Sequence, residues 1–184
     1  MNALLALPVV LPLLGAGVSV LVGRSRRAQR AVSITVLTAI AAVAVALLIQ
    51  VDDRGVVVTS AGGWPAPMGI TLVADRFSAV MLLTAAVMLL AVLLYAIGQP
   101  GAERNHVGFQ SVYLVLAAGV NAAFLTGDLF NLFVFFEVLL SASYGLLLHA
   151  SGSARVKSGL HYIAINLMAS FLFLVGATLI YGVT

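Results

Sequence analysis

The sequence predicts an all-α integral membrane protein of about six transmembrane helices with its N terminus outside, and three observations predict it. Hydrophobic residues make up 62% of the 184 and charged residues only 8%, with a mean hydropathy of +1.16, whereas about a quarter of residues are charged in soluble domains. The apolar runs are long enough to cross about 30 Å of hydrocarbon at roughly 20 residues each, and their Leu/Ala/Val content with punctuating Gly suits helices better than alternating barrel strands. Basic residues also concentrate in every other link between the spans, seven of the nine on one side.

The spans fall at about 3–22, 31–50, 74–97, 109–127, 130–150 and 159–182. The first has no basic residue before its apolar core, and its cluster Arg24, Arg26, Arg27 and Arg30 follows it, which reads as a retained span and not a signal peptide. On the second span, Ala39, Ala42 and Ala46 offer a small-residue face for close helix packing. The long outer connection, 51–73, carries "VVVTSAGGWPAPMGITLVAD". Its β-rich "VVV" and "ITLV" flank Gly62, Gly63, Pro65 and Pro67, so a small hairpin is expected, with Trp64 at the membrane interface. On the fourth span, Gln110 and Asn121, and on the sixth, Tyr162, Asn166 and Ser170, form polar seams. Such seams either join helices or hold water. The chain stops at a helix end with no polar tail, so it is expected to be incomplete.

Charge gives the orientation. The links after the first, third and fifth spans hold the four arginines, Arg104, and Arg155 with Lys157, seven of the nine basic residues; the opposite side holds Arg54 and Arg76 with Asp52, Asp53 and Asp75. By the positive-inside rule the N terminus faces outside. The same distribution explains the pI of 9.7 without nucleic acid, because no basic face of a soluble domain exists to bind it. Cysteine is absent, which excludes disulfides, thiolate catalysis and sulfur-ligated metals. The three histidines lack metal-binding spacing, and nothing in the sequence calls for a cofactor.

The polar groups inside the spans carry the functional reading. "FNLFVFFEVLL" sets Glu137 among aromatic and aliphatic side chains, and Glu137, Ser141 and Tyr144 fall on one helical stripe expected to point away from lipid. At about 10 Å depth an ionised carboxylate facing lipid costs several kcal/mol, so Glu137 must face protein, water or a cation. Two readings stay open: a proton relay, or a protonated Glu hydrogen-bonding two helices together. Asp128, with Thr126 and Asn131, is expected to cap the following helix in preference to carrying ions. His161 begins the sixth span beside Arg155 and Lys157. It is either an interfacial residue or a proton carrier near the cytoplasmic face, and His149 is the weaker candidate of the same kind.

The opening "LPVVLPLLGAG", the loop "GGWPAPMGITLVADRFSAVML", and "GDLFNLFVFFEVLLSASYGLL" followed by "YIAINLMASFLFLVGATLIYG" resemble the N-terminal part of the D subunits of Mrp-type multisubunit Na⁺(cation)/H⁺ antiporters. The Glu-bearing segment alone is similar to a wider superfamily that includes the antiporter-like subunits of respiratory complex I and of membrane-bound hydrogenases. The resemblance implies that Glu137 is a proton-pathway residue, paired with a Lys on a broken seventh helix that tunes its charge state. The sequence ends at Thr184 before such a seventh helix, so that Lys, the broken helix and the inverted second repeat are expected to be missing from these 184 residues, and Lys157, expected in a cytoplasmic loop, cannot replace the partner. The implied protein is a multi-pass subunit in the cytoplasmic membrane, meeting lipid, other membrane subunits, protons and a monovalent cation. Residues 1–108 would form an N-terminal three-helix membrane region with outer loop 51–73, and 109–184 the start of the proton-conducting bundle. Two alternatives stand beside this one: a pumping subunit of a redox-driven complex, and an assembly scaffold with no transport role.

Overall fold

The computed structural model describes residues 3–64, 69–99, 108–148 and 153–183. Pro65, Pro67, Arg104 and His149 lie outside the described residues. Five helices among those described are long and apolar enough to cross a membrane, and a sixth is apolar but shorter. We number them α1 (Ala3–Leu21), α2 (Arg26–Arg54), α3 (Arg76–Gly98), α4 (Phe109–Leu125), α5 (Leu129–Leu148) and α6 (Ser153–Val183).

Polar residues at the helix ends set their limits. Ser25 is the N-cap of α2 and accepts from the Ala28 amide at 3.3 Å, which starts the helix about five residues before the apolar run does. Arg27 and Arg30 are therefore helical. Similarly α6 begins at Ser153, so Arg155 and Lys157 belong to its first turns and not to the loop expected from hydropathy. A helix continues into the polar interface because its amides and carbonyls are satisfied internally, whatever surrounds it. At the other end of α2, Gly55 takes φ 79° and its amide closes on the Val51 carbonyl, a backbone position that favours glycine.

The hairpin between α2 and α3 is present. Strands β1 (Val57–Ser60) and β2 (Thr71–Ala74) pair antiparallel, with Val57 opposite Ala74 and Ser60 opposite Thr71. Their alternation is legible: Val57, Leu72 and Ala74 are buried, while Val58 is exposed, as a period-two segment half covered by a helix bundle requires. Trp64 is exposed. The α4–α5 link then joins the hairpin, since Thr126 bridges Leu72 and the Gly127 amide donates to the Thr71 carbonyl at 2.8 Å. Asp75 begins α3 with a capping box, accepting from the Ser78 amide at 2.7 Å while its own amide donates to Ser78 Oγ at 2.9 Å. Beside it Arg76 pairs with Asp52 at 2.6 Å on an exposed face, a contact of small energetic weight.

The packing centres on α4, which touches α1, α5, α3 and α2 and buries Tyr113, Leu114, Ala117, Ala118, Asn121 and Leu125 among others. Because protein and not lipid surrounds much of it, and because Gly127 just beyond it hydrogen-bonds to β2, α4 does not need the length of a lipid-facing span. On α2 the buried stripe runs through Ser33, Leu37, Ile40, Ala44, Leu47 and Val51. The small-residue face expected to pack is a different one: Ala42 and Ala46 are exposed on this chain. Helices α5 and α6 are the least covered.

Candidate functional site

The hairpin fixes where α5 starts. With Thr126 and Gly127 held on β2, Asp128 follows and caps α5: its Oδ1 accepts from the Asn131 amide at 2.7 Å, and Asn131 Nδ2 donates to Oδ2. Such a cap satisfies one of the free amides of the first turn. Asp128 also borders a cleft of about 590 Å³ between the hairpin, the start of α5 and the end of α6, with Thr71, Asn131, Leu174 and Thr178.

From that start α5 presents different faces to its two neighbours. Toward α4 it turns Leu139, whose backbone nitrogen lies 2.8 Å from where a Cβ on Gly119 would fall, so only glycine permits this approach. Phe135, Ala142 and Leu146 share the buried side. Toward α6 it turns Phe133 and Phe136, with ring centroids 6.4 and 6.5 Å from Phe173, and Tyr144, edge-on to Tyr162 at 5.8 Å. At about 100° per residue Glu137 points roughly opposite Leu139.

Glu137 sits eight residues past the start of α5, about 12 Å along the axis. It is half-buried, and its Oε1 is buried with no hydrogen-bond partner among the described residues. Tyr144 is half-buried too, within electrostatic reach of Glu137 and Tyr162, and its hydroxyl is likewise buried without a hydrogen-bond partner among the described residues. Ser141, between them in sequence, is exposed on this chain, so the expected stripe is divided: two members turn into the structure and one does not. His161 is exposed near the start of α6, one residue from Tyr162. Asp128 stands apart from all of these at the hairpin end.

Sequence reasoning missed two participants. Ser143 lies 3.5 Å from the Tyr162 hydroxyl, although it is off the Glu137 stripe. Pro8 receives the side-chain amide of Asn121 at 2.9 Å, and Pro12 was the available signal, because a proline leaves the carbonyl four residues before it without its helical donor. Among the described residues no three His, Asp or Glu gather in metal-binding geometry.

Relatives of this chain match it end to end. A probable K(+)/H(+) antiporter D subunit of Rhizobium meliloti (strain 1021) is 46% identical across 99% of this chain and 34% of its own length. A Na(+)/H(+) antiporter D subunit of Alkalihalophilus pseudofirmus is 40% identical across 100% of this chain and 37% of its own length. The chain is homologous to the D subunits of Mrp-type antiporters. In three dimensions this Mrp-type homologue superposes on the Mrp complex from Dietzia sp. DQ12-45-1b with a TM-score of 0.92 at 39% identity, covering 100% of this chain and 35% of that one. It also superposes on the membrane-bound sulfane sulfur reductase, an archaeal respiratory membrane complex, with a TM-score of 0.86 at 28% identity over 97% of this chain and 37% of that one. No family model matches. The homologue thus spans about a third of the length of the relatives it matches.

Proposed function

We propose that this chain belongs to a membrane subunit of a multisubunit cation/proton antiporter and that Glu137 is the group in it that exchanges protons. The observation that supports this most directly is the half-buried carboxyl of Glu137, placed deep in a span with a buried oxygen that no group among the described residues satisfies. An ionised carboxylate in hydrocarbon is costly, so such a group either meets a cation or water or takes up a proton, and alternation between these states is what a relay requires. The homologues named for K(+)/H(+) and Na(+)/H(+) antiport support a monovalent cation as the exchanged ion. Other membrane subunits of the same complex would be the partners, in a cytoplasmic membrane. In this reading the first three helices and the hairpin form the N-terminal support, and the stretch from 109 onward begins the proton-conducting bundle.

The test is Glu137→Gln in the full-length subunit within its complex, with cation-dependent collapse of a proton gradient followed in everted vesicles. Exchange is expected to disappear while the complex still assembles. Undiminished exchange would overturn the reading, and loss of assembly would favour a scaffold. A second reading, a proton-pumping subunit of a redox-driven complex, draws on the likeness to the sulfane sulfur reductase. Co-purification with redox subunits would favour it.

A further inference from the structure

Three buried polar atoms on α5 and α6 have no hydrogen-bond partner among the described residues: Glu137 Oε1, the Tyr144 hydroxyl and Asn166 Nδ2. Buried polar groups are nearly always satisfied, and a cluster left over points to water held between them. The three are chemically complementary, one being an acceptor, one a donor, and the phenol either.

The ring contacts place them relative to one another. Phe133 meets Phe173 and Tyr144 meets Tyr162, and between these two contacts each helix advances eleven residues in opposite directions. The helices therefore run antiparallel in step. Asn166 lies four residues from Tyr162 toward the hairpin end, level with Leu140. That puts it about 6 Å from the height of Tyr144 and about 4.5 Å from the height of Glu137, at 1.5 Å per residue. It also shares their side: at about 100° per residue Tyr162, Asn166 and Phe173 fall within about 40° of one another on α6. On the hairpin side of Glu137, the apolar rings of Phe133 and Phe136 meet that of Phe173 across the seam.

Resting on the assignment of Glu137 as the proton-exchanging group, we propose that Asn166 is a positioning residue for it, holding ordered water in the α5–α6 seam between the Glu137 carboxyl and the Tyr144 hydroxyl. The seam then gives Glu137 a hydrated path toward Tyr144, Tyr162 and the arginine-bearing end. The phenylalanines deny it one toward the hairpin. A proton leaving the carboxyl passes to the adjacent water as that water releases one onward, and the Tyr144 hydroxyl accepts a proton on one side while giving its own on the other. The water and the phenol end neutral, and the one negative charge rests on the Glu137 carboxylate until a proton returns to it.

The test uses the full-length subunit in its assembled complex, with two readouts: the carbonyl stretch of the protonated Glu137 carboxyl in infrared difference spectra, identified by its loss in Glu137→Gln, and the rate of cation-dependent proton exchange. Asn166→Leu keeps the size and removes the donor. It is expected to move the Glu137 band to higher wavenumber and to slow exchange by about tenfold or more. Asn166→Ser, which keeps a hydroxyl and leaves room for a further water, is expected to restore both. An unmoved band in Asn166→Leu overturns the proposal, and so does a failure of Asn166→Ser to restore it, which would mark Asn166 as a packing residue. If Glu137→Gln leaves exchange intact, the reading of Glu137 itself fails. The band shift would in that case still report whether Asn166 and Glu137 share water.

Discussion

The side-chain amide of Asn121 donates to the carbonyl of Pro8 at 2.9 Å, buried and across 113 residues of sequence. The reason lies in α1. Pro12 has no amide hydrogen to give the carbonyl four residues before it, and α4 supplies the missing donor from the side. Asn121→Ala in the full-length subunit is expected to cost about 1–2 kcal/mol of stability, the range of a buried or interhelical hydrogen bond. In a Pro12→Ala background, where the backbone amide regained by that substitution can satisfy the Pro8 carbonyl, the loss of Asn121 should cost distinctly less. Thermal unfolding of the four variants measures this, and additive losses would contradict the account.

Gly119 sets the spacing of α4 and α5. A Cβ there would meet the Leu139 backbone at 2.8 and 3.0 Å, and backbone cannot rotate away as a side chain can. Gly119→Ala is expected to destabilise by about 1–3 kcal/mol through overpacking. Leu139 is two residues from Glu137, so exchange should fall with it. A variant with unaltered melting and unaltered exchange would show that α5 shifts freely.

The capping box of α3 makes a pH-dependent contribution. The Ser78 amide, followed by the Ser78 hydroxyl, holds the Asp75 carboxyl below the usual carboxylate range. A carboxylate lowered in the folded state stabilises it above the unfolded value, about 3.9, and that stabilisation is lost as pH falls through the folded value. Asp75→Ala is therefore expected to cost about 1 kcal/mol near neutral pH, as cap removal does. The difference from the parent should shrink only below about pH 4. Melting curves at pH 7 and pH 3 check the direction, and a gap that widens in acid would refute it.

Asp128 tests the distinction between a cap and an ion site. Its Oδ1 accepts from the Asn131 amide, a bond that an Asn side chain also makes. Asp128→Asn is expected to leave both stability and exchange close to the parent, whereas Asp128→Ala should lose about 1 kcal/mol. Exchange abolished in a stable Asp128→Asn protein would reassign the residue to ion handling.

The sequence by itself determined the class, the spans, the hairpin and the chemistry of the polar positions. These rest on local properties: hydropathy summed along a run, turn residues between β-rich segments, and a capping side chain three residues from the amide it accepts. What the tertiary structure decided is which side of each helix meets which neighbour. In helices apolar all round, lipid and protein interior accept the same side chains, so periodicity does not distinguish a packed face from an exposed one. Hence the stripe of Glu137, Ser141 and Tyr144 was legible as a stripe, but not that Ser141 would be exposed while the other two turn inward. Asn121 was visible as a polar residue that joins helices or holds water, yet its partner depended on α4 lying against α1. Asn166 was visible in the same way. Only the antiparallel step of α5 and α6, fixed by aromatic contacts far apart in sequence, puts it at a height between Glu137 and Tyr144.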